Sequence, residues 1–163
     1  MVLPADFKRA MAALPAGVAV VTAATRDGGW CGATLSAFMS LSLDPPLVAM
    51  AMAETSRTAA AIEAAGAFAA HIVGARQEAA AMRFASSGTD KFAGLTTEVN
   101  DRGTPVIQDF DVAVECVLEA AYPGGDHRIF VGRVEAVRIA GVVQPTIWFE
   151  RGFHPVPMQL QGA

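Results

Sequence analysis

The residues best suited to chemistry lie in the stretch from 32 to 58. Thr34, Ser36, Ser40 and Ser42 interleave with Leu35, Phe38, Leu41 and Leu43. That spacing suits a strand with one apolar and one hydrogen-bonding face. Residues 47–52 form a short, continuous apolar run, as in a buried strand. Thr55, Ser56 and Thr58 then surround Arg57, directly before Ala59, Ala60, Ala61, Ile62 and Glu63. A Ser at a helix start exposes free backbone N–H groups at the positive end of the helix dipole. Arg57 strengthens this anion site. The segment therefore suits a ligand with a flat polar ring at one end and a phosphate at the other.

Other chemistries lack their residues. The chain contains no G-x-G-x-x-G, no G-x-x-x-x-G-K-[ST], no H-E-x-x-H and no G-x-S-x-G. Its three histidines, His71, His127 and His154, fall on different elements, so no metal is expected. Cys31 and Cys116 have neither zinc-ligand nor C-x-x-C spacing and are expected to stay reduced in a cytoplasm. An enzyme this poor in acids, bases and nucleophiles is expected to borrow its chemistry from a cofactor.

The elements that must position these groups read as one unit, expected to span residues 1–163 with its core at about 7–153. Hydrophobic residues make up 53% and charged residues 17%, which argues against disorder. A net charge of −4 with acids and bases scattered argues against a nucleic-acid surface. No run is long and apolar enough to span a bilayer, and the first residues lack the apolar core of a signal peptide. Helices are expected at 6–14, 58–65 and 77–85, the first with Phe7, Ala10, Met11 and Leu14 on one face. Strands are expected at 18–24, 30–43 as one or two pieces, 47–53, 68–73, 112–119, 128–139 and 146–150. Residues 86–99 read as mostly loop. The apolar phase of the long strand shifts between Val134 and Val137, which predicts a bulge. Many strands and few short helices favour a mainly β, closed antiparallel barrel over parallel βαβ units.

Four blocks make the chain resemble the flavin reductase family of short, single-domain proteins. They are residues 16–22, AGVAVVT; residues 32–47, with SLDPPL at their end; RFA at 83–85 with DKFAG at 90–94; and GDH at 125–127 leading to VGRV at 131–134. The resemblance runs from Phe7 to about Phe153. It implies a split β-barrel, Greek-key-like and FMN-binding, usually a homodimer with flavin near the subunit interface. It implies reduction of FMN or FAD by NADH or NADPH, with reduced flavin passing to a separate monooxygenase. Residue by residue, Thr34, Leu35, Ser36 and Ala37 would line the isoalloxazine ring. Ala51, Met52, Ser56 and Thr58 would lead towards the phosphate, with Arg57 nearby. Phe84, Lys91 and Phe92 would cover the other end. His127 would sit beside the nicotinamide, and the segment Trp148, Phe149, Glu150, Arg151 would help close the dinucleotide site.

Taken singly, each residue also has a plainer reading. Ser36, Ser40 and Ser42 suit a half-exposed strand; Ser56 and Thr58 suit ordinary helix caps. Phe84 and Phe92 suit a core, Lys91 a solvated surface, and His127 a turn. Two further functions share the fold: a flavoprotein that keeps its flavin and reduces a metal ion or corrinoid, and a non-catalytic flavin-binding barrel.

Overall fold

A period of two runs through the strands and sorts their side chains between two cores. The structure, a computed structural model, describes residues 2–88 and 90–157. Its elements in order are helix α1 (Pro4–Ala12), strands β1 (Ala19–Ala24), β2 (Trp30–Leu35), β3 (Phe38–Leu43) and β4 (Pro46–Ala53), and helix α2 (Arg57–Ala65). Strand β5 (Ala67–Ile72), a 3-10 turn (Ala75–Gln77), helix α3 (Glu78–Ala85), and strands β6 (Thr97–Val99) and β7 (Pro105–Ile107) follow. The long strands β8 (Val112–Gly124) and β9 (His127–Ile139) and the hairpin of β10 (Thr146–Phe149) and β11 (Gly152–Pro155) complete the order.

The main sheet runs β2-β1-β5-β8-β9-β4-β3, antiparallel throughout. Its two end strands, β2 and β3, are consecutive in the chain and joined only by Ser36 and Ala37. The sheet must therefore curl until its ends meet, which gives the split β-barrel. The Ala51 N–H donates to the Ala37 carbonyl at 3.0 Å across that corner. Inside the barrel lie Val21, Val48, Met50, Met52, Phe68 and Phe130, with Ala59 and Ile62 of α2 joining them. A second core lies outside β1. Val18 and Val20 there meet Ala81 and Phe84 of α3, with Ile107 and Phe110. Strand β1 is thus covered on both faces, which explains why its sequence is continuously apolar rather than alternating.

Two glycines permit the closest approaches. A Cβ on Gly32 would lie 2.6 Å from the Phe84 ring, and one on Gly132 would lie 2.4 Å from the Phe68 ring. The bulge expected on the last long strand is present. Glu115 pairs with Ala136 and Cys116 with Val134, leaving Glu135 without an opposite residue. A second irregularity leaves Glu119 unpaired on β8.

Several expectations change in detail. Helix α1 begins at Pro4, where proline's fixed φ suits the first turn. Its apolar face exists, but Phe7, Met11 and Leu14 stay 49–62% exposed. Of the one or two pieces expected at 30–43, the structure has two, β2 and β3, parted at the barrel corner. Strands β6, β7 and β11 were not anticipated, since three- and four-residue strands leave no measurable period. The β10–β11 turn places Glu150 (φ 46°) and Arg151 (φ 64°) in the left-handed region that such two-residue hairpins usually give to Asn and Gly.

His71 of β5 is fully buried. Its Nδ1–H donates to the Val20 carbonyl at 3.0 Å, and its Nε2 accepts the Ile107 N–H at 2.9 Å. The ring thereby ties β1, β5 and β7 together as a neutral imidazole. Burial, with Arg138 nearby, lowers its pKa from 6.5 to about 4. The folded state resists a proton that the unfolded chain accepts below 6.5. Stability is therefore complete above that pH and falls as pH drops towards about 4, by up to about 3 kcal/mol. Denaturant titrations across this window should show that slope, and His71→Gln should abolish it. An equal slope in both proteins would rule out His71 as its source.

Candidate functional site

Strand β4 ends at Ala53, and Ser56 then caps α2. Its Oγ accepts the Ala59 N–H at 3.3 Å, while Gly66 at φ 67° closes the helix. Among the described residues, the Arg57 and Thr58 amides at the helix start have no acceptor. They open on a cleft of about 490 Å³. One wall is the start of β2, from Trp30 to Ala33; the second is Ser56, Arg57 and Thr58; the third is the segment after α3, with Ser86, Ser87, Gly88, Asp90, Lys91 and Phe92.

Lys91 is the clamp of this cleft. Its Nζ donates to the Gly32 carbonyl of β2 at 3.0 Å and to the Phe84 carbonyl near the end of α3 at 2.8 Å. Partial burial lowers its pKa, with Arg57 contributing in the same direction and the Cys31 thiol opposing. Neither Lys91 nor Arg57 forms a salt bridge within 4 Å among the described residues, although the pKa of Asp27, lowered chiefly by the Thr25 hydroxyl, has the Arg57 charge as a minor contributor. Two like charges and a helix N-terminus facing one cleft have the charge and the donors that suit an anion. Behind them stands a chain of aromatic rings. Trp30 meets Phe92 at 5.4 Å, and Phe92 meets Phe84 at 5.1 Å, both edge-on.

The next residues of β2 line a second, smaller hollow of about 160 Å³. Its lining includes Thr34, Leu35, Ser36, Met82, Trp148 and Phe153. The Thr34 hydroxyl donates to the Ala81 carbonyl at 2.5 Å. Leu35 packs against the barrel core. Ser36 and Ala37 are exposed at the corner.

The proposed site residues thus separate into groups. Ser56, Arg57, Thr58, Lys91 and Phe92 share the large cleft, and Thr34, Leu35 and Ser36 share the hollow. Phe84 is buried behind the cleft, and Met52 points into the barrel, which leaves its backbone as the part able to meet a ligand. Ala51 faces the opposite side of β4, outside the barrel. Phe149 and Arg151 lie at the β10–β11 hairpin, where Phe149 stacks edge-on with His154. His127 opens β9 beside Ala53, close in sequence to the α2 cap. The Asp126 carboxylate accepts from its Nδ1 at 2.7 Å, a bond that holds the Asp126 pKa below its ordinary value. In the neutral ring Nε2 then accepts; it donates only as imidazolium.

Sequence reasoning missed Trp30, Gly32 and the Ser86-Ser87-Gly88 run as lining. Only the last carried a local signal, a small-residue run beside Lys91. Cys31 lines the cleft, but burial raises its pKa, and that of Cys116 is pushed up to about 12. Neither sulfur is a ready nucleophile.

A family model for the flavin reductase like domain matches residues 11–157. The chain is 40% identical to the reductase component of a 4-hydroxyphenylacetate 3-monooxygenase from Thermus thermophilus, over 90% of this chain and 93% of that one. It is 38% identical to the actinorhodin polyketide dimerase of Streptomyces coelicolor, over 90% of this chain and 83% of the relative. Its fold also matches a Streptomyces globisporus NADH:FAD oxidoreductase solved with NAD and FAD fragments, at TM-score 0.89 and 28% identity, covering 99% of each chain.

The clamp makes a prediction independent of any ligand. Lys91→Met leaves the Gly32 and Phe84 carbonyls without their donor and should cost about 1–3 kcal/mol in chemical denaturation. A solvated Lys91 would give no measurable loss.

Proposed function

We propose that this chain, which belongs to the flavin reductase like domain family, reduces FMN or FAD with NADH or NADPH and supplies the reduced flavin to a partner monooxygenase. The observation that carries the reading is the cleft where the α2 N-terminus, Arg57 and Lys91 converge with no salt bridge to either cation among the described residues. A phosphate dianion fits that set in charge and in donors. Strand β2 joins the cleft to the smaller hollow. Its six residues span about 20 Å, enough to carry a ligand from a phosphate site to a ring site.

A bound flavin supplies the hydride chemistry; the protein's part is positioning and charge. Arg57, Lys91 and the Arg57 and Thr58 amides hold the phosphate. The corner residues Thr34, Leu35, Ser36 and Ala37, with Ala51 and the Met52 backbone, border the ring. Thr34 contributes its shape rather than its hydroxyl proton, which Ala81 already takes. Phe92 walls the cleft with Phe84 packed behind it, while Phe149 and Arg151 belong to the hairpin that flanks the hollow through Trp148. His127, oriented by Asp126, offers Nε2 to the nicotinamide carboxamide as an acceptor.

The reading includes a single domain spanning 1–163, a homodimer and a cytoplasmic location. Two buried thiols agree with a reducing compartment, and no helix among the described residues is long and apolar enough to cross a membrane. The dimer is supported by the outer sheet face. Met39, Ala49, Val131 and Ala120 lie in one row across the sheet, and Ala51, Ile129 and Tyr122 lie in the next. Met39, Ile129 and Tyr122 are 41–56% exposed in the single chain. Such a contiguous apolar face suits a two-fold interface.

Steady-state oxidation of NADH or NADPH with FMN, FAD or riboflavin tests the activity, and two variants divide the site. Arg57→Ala should weaken FMN about ten- to a hundredfold and leave riboflavin, which has no phosphate, unchanged. His127→Ala should raise the Michaelis constant for NADH about five- to thirtyfold without moving flavin affinity. Equal losses of FMN and riboflavin from Arg57→Ala would reassign Arg57, and lost flavin binding from His127→Ala would reassign His127. Sedimentation should give twice the 16.9 kDa chain mass, and Met39→Glu with Ile129→Glu should give the monomer. A monomeric parent protein would refute the interface.

A further inference from the structure

The anion site accounts for the charged groups of the large cleft and leaves its aromatic part unexplained. There Trp30 stands at the first position of β2 with 39% of its surface exposed. Phe92 touches the indole edge-on, and Phe84 backs Phe92 in turn. The indole is therefore fixed in orientation by a line of rings yet not covered by them. Lys91, next to Phe92 in the chain, is held by two carbonyls, so this wall of the cleft is anchored at both its charged and its aromatic part.

Charge alone does not select between the two flavin nucleotides. The phosphate of FMN and the diphosphate of FAD each carry about two negative charges near neutral pH. What separates them is the adenosine beyond the phosphate. A cleft of about 490 Å³ has room past the Arg57–Lys91 set, and a preset aromatic face is the group that a purine binds by stacking.

We propose that Trp30, steadied by Phe92, is the adenine platform of this site and makes FAD the better-bound flavin. This rests on the flavin reading above and adds to it a residue that selects between acceptors. The indole stacks on the base while Arg57 and Lys91 take the diphosphate between them. Trp30 touches no part of FMN in this arrangement.

Calorimetric titration of oxidised FAD, FMN and riboflavin tests it, using the parent protein, Trp30→Leu and Trp30→Phe. Leucine keeps the apolar contact with Phe92 and removes the π face; phenylalanine keeps the face. Trp30→Leu should weaken FAD about five- to a hundredfold and leave FMN and riboflavin unchanged. Trp30→Phe should restore most of the FAD affinity. Equal losses for FAD and FMN, or no loss for either, would overturn the assignment. So would an unchanged FAD affinity with a raised Michaelis constant for NADH, which would give the indole to the nicotinamide dinucleotide instead. If the parent protein binds none of the three flavins, the reductase reading itself fails, and does so before any Trp30 variant is compared.

Discussion

The contact between the Phe84 ring and the bare backbone of Gly32 sets the distance between α3 and β2, and the site depends on that distance. Any side chain at position 32 would collide with the ring, so the helix would have to lift from the strand. Lys91 then closes the same junction from the polar side by donating to the Gly32 and Phe84 carbonyls. One apolar and one charge-assisted contact thus hold a helix, a strand and the segment after the helix in a single arrangement. The large cleft lies on one side of this junction and the smaller hollow on the other. Neither concavity would keep its shape if α3 moved.

The barrel serves this junction by supplying a strand that is rigid along its whole length. β2 is fixed by its pairing with β1, and β1 is fixed by cores on both of its faces. The chain then turns at Ser36 and Ala37 to pair with β4 on the other edge of the sheet. The corner is therefore set by barrel closure rather than by local turn chemistry. That places exposed backbone beside the hollow without leaving a loop that must be ordered on binding.

Much of this was legible in the chain, for physical reasons that also explain what was not. The hydroxyl-rich start of α2 could be read because capping is local: Ser56 and its acceptor role lie within a single turn. The Glu135 bulge could be read because a slip in register exchanges the two faces of a strand and so leaves a break in its apolar phase. Trp30 was not legible as a cleft residue. Its neighbour Phe92 lies far along the chain, and only folding brings them together. The separation of Thr34 from Ser56 was hidden for a related reason. Both appear as hydroxyls in one segment, yet alternation along β2 and the sheet's curvature send them to different concavities. Met52 shows the same limit, since an apolar residue at the end of a strand gives no sign of which face it takes.

The short helix α1 buries none of its own residues, and nine residues are too few to hold a helix by backbone bonds alone. Its link to the rest runs through the β10–β11 hairpin, where the Glu150 N–H donates to the Ala12 carbonyl and Trp148 exchanges backbone bonds with Ala16. The same hairpin contributes Trp148 and Phe153 to the wall of the smaller hollow. Helix α1 is thus coupled to the hairpin, and the hairpin in turn packs Trp148 and Phe153 against the second core. Two of the eight residues lining the hollow, Trp148 and Phe153, come from the hairpin, and the rest come from the β1–β2 side of the barrel and from α3. A ligand seated in the hollow would therefore touch the barrel, α3 and the hairpin at once, and filling it would brace α1 through the hairpin.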